Sequence, residues 1–275
     1  MILQEINDST ENINNIFVKI LLAASLTLSS LFAMTGEEIA QKVHDRDEGD
    51  NSTSKMKMIL IDKNGKKRIR DLKTFTKNKG EDKLKLMFFL TPADVKNTAF
   101  LTHDFEDSSK DDDQWLYLPE LQKVKRIASS DKSSSFMGSD FTYSDMTSRN
   151  VQDYTYKVMK EKKVGGHMTW QMLVTPKSQK TVAETGYTKS IVFVRQDNFV
   201  IVQALNYIKA GKKLKYMQVK GLKQIDGIWT ATEMQMVTKK GKKMLHKTIF
   251  KFSDIKYNQD LEESLFTTRT LERGL

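Results

Sequence analysis

Asp111–Met146 reads DDDQWLYLPELQKVKRIASSDKSSSFMGSDFTYSDM. It opens on a strand-like apolar run, Trp115-Leu116-Tyr117-Leu118, which stops at Pro119, and a second short run follows from Val124 to Ile127. A polar, serine-rich segment, Ser129–Ser135, leads into a compact cluster, Phe136–Tyr143. Most of the chain alternates apolar and polar residues with the period of a half-buried strand. This stretch does not. It sets large aromatics on a long loop expected to be mobile, where binding surfaces tend to lie. We read it as the lip of an apolar cavity whose wall is the rest of a β-sheet.

On its N-terminal side the alternation is plain. Met56 to Ile61 and Arg68 to Phe75 read as strands joined by Asn64-Gly65, a strong two-residue hairpin signal. Asn78-Lys79-Gly80 turns the chain into Leu84–Leu90, which Pro92 ends, and Thr98–Thr102 is a short further strand. On the C-terminal side, strands are expected at Tyr154–Met159, Thr169–Val174, Ser190–Arg195, Phe199–Ile208, Leu214–Val219, Trp229–Val237 and Leu245–Ile255. The turns between them are Gly165-Gly166, Asp197-Asn198, Ala210-Gly211, Asp226-Gly227 and Lys240-Gly241. Connections this short favour antiparallel neighbours, because a parallel crossover needs a dozen residues or more. Lysines at Lys213, Lys215, Lys220, Lys247 and Lys251 suggest a wet face. Phe199-Val200-Ile201-Val202, apolar on successive positions, suggests a strand covered on both faces. Gly36–Val43 reads as a short amphipathic helix with Glu37 and Glu38 in its first turn. Leu261–Leu271 reads as a turn or short helix.

The chain has 275 residues, 39% of them hydrophobic and 29% charged, which suits a packed core and argues against wholesale disorder. Ile20–Ala33 is an apolar block of the length of a secretory h-region, preceded by Lys19, with cleavage after Ala33 expected. Residues 1–33 are therefore read as a signal peptide and 34–275 as a single domain. The other reading of the block is a retained anchor, but it falls short of the ~20 residues that a span needs. With no cysteine there are no disulfides, thiolate metal sites or lipid-modified cysteine. Residues 1–33 hold one lysine and three acids, so the net charge of +10 becomes +12 (10 + 2) in the remainder. Such a charge suits anionic headgroups. Export makes nucleic acid the poorer partner.

Three blocks carry a resemblance: MTGEEIAQKV at Met34–Val43, FLTPADVKNTAFL at Phe89–Leu101, and WLYLPELQKVKRI at Trp115–Ile127 with the downstream Phe136–Met146. Together they resemble the outer membrane lipoprotein-sorting proteins of the LolA-like superfamily, in a longer branch often associated with exporters of the resistance–nodulation–division type. The likeness runs from Thr35 to Arg273. It implies a mainly β (α+β) fold, an antiparallel half-barrel with short helices covering its concave side. It also implies a monomeric, non-enzymatic periplasmic carrier of lipid or lipoprotein acyl chains, without cofactor. No binding residue carries over from the family. The cavity candidates are Phe89, Phe100, Trp115, Tyr117, Phe136, Met137, Phe141 and Tyr143; Lys123, Lys125 and Arg126 are candidates for a headgroup or a partner surface. The alternative is an accessory subunit docking on such an exporter without cargo, and a third reading is a hydrolase. Fourteen Met and fourteen Phe fit a carrier: exposing an acyl chain costs ~0.8 kcal/mol per CH₂, and Met adapts to irregular ligands.

Other chemistry is harder to find. His44, His103, His167 and His246 have no ligand spacing and read as surface or loop residues. Asp111-Asp112-Asp113 lacks the glycine turn and distal glutamate of a calcium loop and reads as a solvated turn. The serines of 129–135 have no neighbouring base and read as a flexible lid. Gly165-Gly166-His167 is a turn, with no phosphate-loop lysine after it.

Overall fold

The computed structural model describes residues 34–209 and 212–275, so the leader read at 1–33 lies outside the described residues. After helix α1 (Gly36–His44) come β1 (Asn51–Asp62), β2 (Lys67–Lys79), β3 (Asp82–Thr91), β4 (Ala99–Asp104), β5 (Asp113–Leu118) and β6 (Lys123–Arg126). A long segment then leads to β7 (Tyr154–Val164) and β8 (His167–Pro176). Helix α2 (Gln179–Thr185), β9 (Tyr187–Arg195), β10 (Ile201–Ile208), β11 (Lys213–Ile225), β12 (Ile228–Lys240), β13 (Lys243–Tyr257) and helix α3 (Thr268–Arg273) complete the chain. Among the described residues no helix is long and apolar enough to cross a membrane.

Turn chemistry explains the pairing. Gly165-Gly166 and Asp226-Gly227 are two-residue loops with positive φ at both positions (58° and 88°; 52° and 84°). That is the geometry whose twist matches the flanking strands. The thirteen strands form one antiparallel sheet in the order β6-β5-β4-β3-β2-β1-β13-β12-β11-β10-β9-β8-β7. The first strand therefore pairs with the last at the middle of the sheet, with Met58 opposite Phe250. The chain meanders out to one edge, β6, and re-enters at the other, β7. The segment between them, 127–153, must cross a whole face.

Laid flat, twelve inter-strand spacings of ~4.8 Å would hold the edges roughly 58 Å apart. The crossing segment is not stretched. It contains short 3₁₀ turns at Ser129–Asp131, Phe136–Gly138, Ser144–Met146 and Val151–Asp153. The sheet curls around it into an open half-barrel, as the sequence led us to expect.

The concave core is built on this segment. Phe136 is fully buried among Met58, Leu72, Phe89, Phe100 and Leu116. Its ring centroid lies 5.0 Å from that of Phe100 and 5.6 Å from that of Tyr143. Phe141 stacks on Phe250 at 4.3 Å. A second core lies on the outer face of β2–β5, where Phe75, Leu86, Phe88 and Leu101 meet Phe266 and Leu271. Helix α3 thus covers the convex side and not the concave one. With both faces covered, β4 is buried almost without alternation.

Three local expectations need correction. Phe199 is not a strand residue: it sits before β10 at φ +56° and stacks on Trp170. Lys215 shares the inner face of β11 with Met217, and its ammonium approaches the Tyr187 hydroxyl at 3.4 Å; Lys251 faces outward and pairs with Glu233. His103 and His246 are not loop residues. His103 lies on β4 against Trp115, and His246 on β13 contacts Asp140.

Candidate functional site

The stretch that opened the sequence reading is tied down along its length. Asp140, 4% exposed, sits over β12 and β13. It accepts hydrogen bonds from Thr238 Oγ1, from Thr248 Oγ1 at 2.7 Å and from His246 Nδ1 at 2.7 Å. Its own N–H donates to Thr248 Oγ1. Arg70 donates to the Met137 carbonyl at 2.6 Å, and Gln114 to that of Tyr143 at 2.9 Å. Farther along, Tyr187 Oη donates to Asp145 at 2.8 Å, and Ser148 donates to Asp104 through both its N–H and its hydroxyl. In place of a mobile lip there is a packed crossing strap. The polar groups named here are paired, as a low-dielectric interior favours.

The strap fills one half of the concavity and leaves the other open. Between α1, the strap and strands β8–β12 lies a cavity of about 320 Å³. Period-two positions supply its wall: Met172 and Val174 on β8, Val192 and Val194 on β9, Ala204 on β10, Met234 and Met236 on β12. Ala40 and Val43 of α1 close it on one side, and Phe141 of the strap on another.

A second, polar chamber of about 160 Å³ adjoins it. Both are lined by Ser144, Asp145, Thr147, Ser148 and Arg149 of the strap. The acidic run read as a solvated turn borders this chamber. Asp111 pairs with Lys180 at 2.7 Å, and Asp113 pairs with Arg126. Asp112 accepts from the Phe105 N–H, and burial, with Asp104 nearby, pushes its carboxyl up to about 6. Lys132, 4% exposed, also lines the chamber. Arg149 lies 5.9 Å from the ring centroids of both Tyr154 and Tyr187. Among the described residues no hydrogen-bond acceptor or ion-pair partner serves the side chain of Lys132 or of Arg149. Burial raises the Tyr187 hydroxyl well above its ordinary range, reinforced by Asp145, and it lowers the Lys215 ammonium.

Of the eight aromatic and methionine candidates, Phe141 alone borders the apolar cavity. Phe89, Phe100 and Phe136 are packed core, and Met137 and Tyr143 pack against them. Trp115 and Tyr117 point the other way, into the outer core beside Phe266, because odd positions of β5 face outward while Gln114 and Leu116 face the strap. Lys123, Lys125 and Arg126 are exposed on the β6 edge, in the half of the sheet that the strap fills. The cavity-facing residues of β8–β12 went unnamed, although their alternation was legible.

The described residues thus form an open antiparallel half-barrel with a strap, a short helix and an apolar hollow on its concave side. Solved structures share it. An outer membrane lipoprotein-sorting protein domain from Vibrio parahaemolyticus matches at TM-score 0.78 and 33% identity, over 86% of this chain and 98% of its own. A DUF1329 family protein from Desulfovibrio piger matches at TM-score 0.78 and 30% identity, over 86% and 97%. A LolA superfamily protein from Nitrosomonas europaea shares the fold at TM-score 0.65 and 18% identity, over 86% of this chain and all of its own. Residues 81–273 match a family described as an uncharacterized protein. No curated protein matches. The chain belongs to the family of the outer membrane lipoprotein-sorting protein domain and the DUF1329 protein.

Proposed function

We propose that this protein is a carrier: it shelters an acyl chain of a lipid or lipid-modified protein in the cavity beneath the strap and hands it on through the periplasm toward the outer membrane. The observation that carries this reading is the apolar hollow on β8–β12. A volume of about 320 Å³ lies at the small end of the ~300–1,000 Å³ typical of ligand sites. Four methionines, Met172, Met217, Met234 and Met236, line it, and their flexible side chains suit an irregular tail. Removing each methylene from water contributes ~0.8 kcal/mol, so even part of a chain is worth holding. In this reading residues 1–33 are the export signal, the domain of 34–275 acts alone and without a cofactor, and it performs no catalysis. The acidic cluster, the serine-rich turn and His44 hold structural or polar-lining roles.

Native mass spectrometry of protein purified from its own host tests the reading. A lipid or acyl adduct that survives purification and is lost on delipidation is the expected result. A stable complex with an exporter and a permanently empty cavity would instead favour the docking-subunit reading.

A further inference from the structure

The two adjoining chambers differ in character. One is walled by methionine and valine; the other holds Lys132, Arg149, Asp112, Asp153 and Glu184. Arg149 belongs to both. Arg149 is partly buried where the two chambers meet, near the charge of Asp145 but with no hydrogen-bond acceptor among the described residues, and a cation drawn partly out of water favours a paired anion or hydrogen bonds. The faces of Tyr154 and Tyr187 compensate only in part. The neighbouring carboxylates are mostly engaged. Asp104 is held by Lys85 at 2.7 Å and by Ser148, and Asp111 by Lys180. Asp145 accepts from the Thr142 N–H and the Tyr187 hydroxyl. Burial raises Glu184 and Asp112, so both give up their protons less readily. The carboxylates that feel the two cations include Asp145 for Arg149 and Glu184 and Asp112 for Lys132, and none of these forms a hydrogen bond or close ion pair with either cation among the described residues.

Resting on the carrier reading, we propose that the cargo is a single-chain acidic amphiphile, with its tail along Met172, Val192 and Met236 and its carboxylate or phosphate head on Arg149 at the mouth of the polar chamber. A guanidinium fork matches either head with two parallel hydrogen bonds. The size of the hollow suits one tail better than several.

The test is displacement of a fluorescent fatty acid from the full protein by dodecanoate, dodecyl phosphate, dodecanol and dodecyltrimethylammonium. A hydrogen bond to a charged group is worth roughly tenfold or more in affinity. In the wild type, dodecanoate or dodecyl phosphate, or both, should therefore bind at least about tenfold more tightly than dodecanol, and the cationic amphiphile more weakly still. The comparison of carboxylate with phosphate identifies the head. Arg149→Gln should bring the acidic ligands down to the level of dodecanol without changing dodecanol itself, and Arg149→Lys should restore part of the difference. Equal binding of dodecanol and both acids by the wild type, or an undiminished preference in Arg149→Gln, overturns the headgroup assignment while leaving the carrier reading intact. Failure of all four ligands and of the probe to bind overturns both.

Discussion

Asp140 ties the strap to the middle of the sheet. Its carboxylate gathers Thr238, Thr248 and His246 from two central strands. Asp140→Ala leaves those donors unsatisfied in a buried place, a loss of about 2–3 kcal/mol, measurable as a lowered midpoint in urea. Asp112 works in the opposite sense. Its folded pKa of about 6 lies above the ordinary 3.8, so folding disfavours its ionised form. Below pH ~4 that costs nothing; the penalty grows as the pH rises toward 6 and persists above it. Asp112→Asn should therefore stabilise the protein at pH 7.5 by about 1–2 kcal/mol, after allowance for the solvent that reaches the group, and leave it unchanged at pH 4. Thermal melts at the two pH values check this. Neither role was legible from residue type, since an acid beside Phe141 or in an Asp-Asp-Asp run looks like loop in a string of letters. What decides their roles is the strand on the far side.

At the scale of elements, the strands were readable and the strap was misread. The strand cores and hairpin turns followed from alternation and glycine, and α1 from its charges and apolar spacing. Helix α2 carries signals that were overlooked: Ser178 accepts from the Thr181 N–H, and Gly186 at φ +74° closes the last turn. The strap breaks alternation because it packs against a sheet and joins none. Its serines and glycine suggest mobility, while its aromatics fill a core. Phe136→Ala should cost about 3–5 kcal/mol in urea denaturation, as deletion of a fully buried ring does. Trp115→Ala, on the outer face, should lower stability but leave fatty-acid affinity unchanged in a fluorescence titration. Gly36 lets α1 sit against β7, since a β-carbon there would meet the Tyr156 carbonyl oxygen at 2.6 Å. Gly36→Ala should loosen the helix that closes one wall of the cavity, at about 1–3 kcal/mol.

Over the whole molecule, the topology produces the site. Pairing the first strand with the last sends the intervening chain across the concave face, and what that chain leaves uncovered becomes the hollow. The sequence could announce a curved sheet and an apolar interior; it could not say which half the strap would occupy. For that reason most of the aromatic candidates pack in the two cores and only Phe141 reaches the hollow, whose wall is otherwise built by residues such as Met172, Val192, Ala204 and Met236. The most direct test of the account is fluorescent fatty-acid binding by the wild type and by Ala204→Trp, which places a large ring in the hollow. Saturable binding by the wild type and a loss of at least tenfold in the variant are expected, with the fold retained by circular dichroism. Undiminished binding by a folded Ala204→Trp protein would contradict the account.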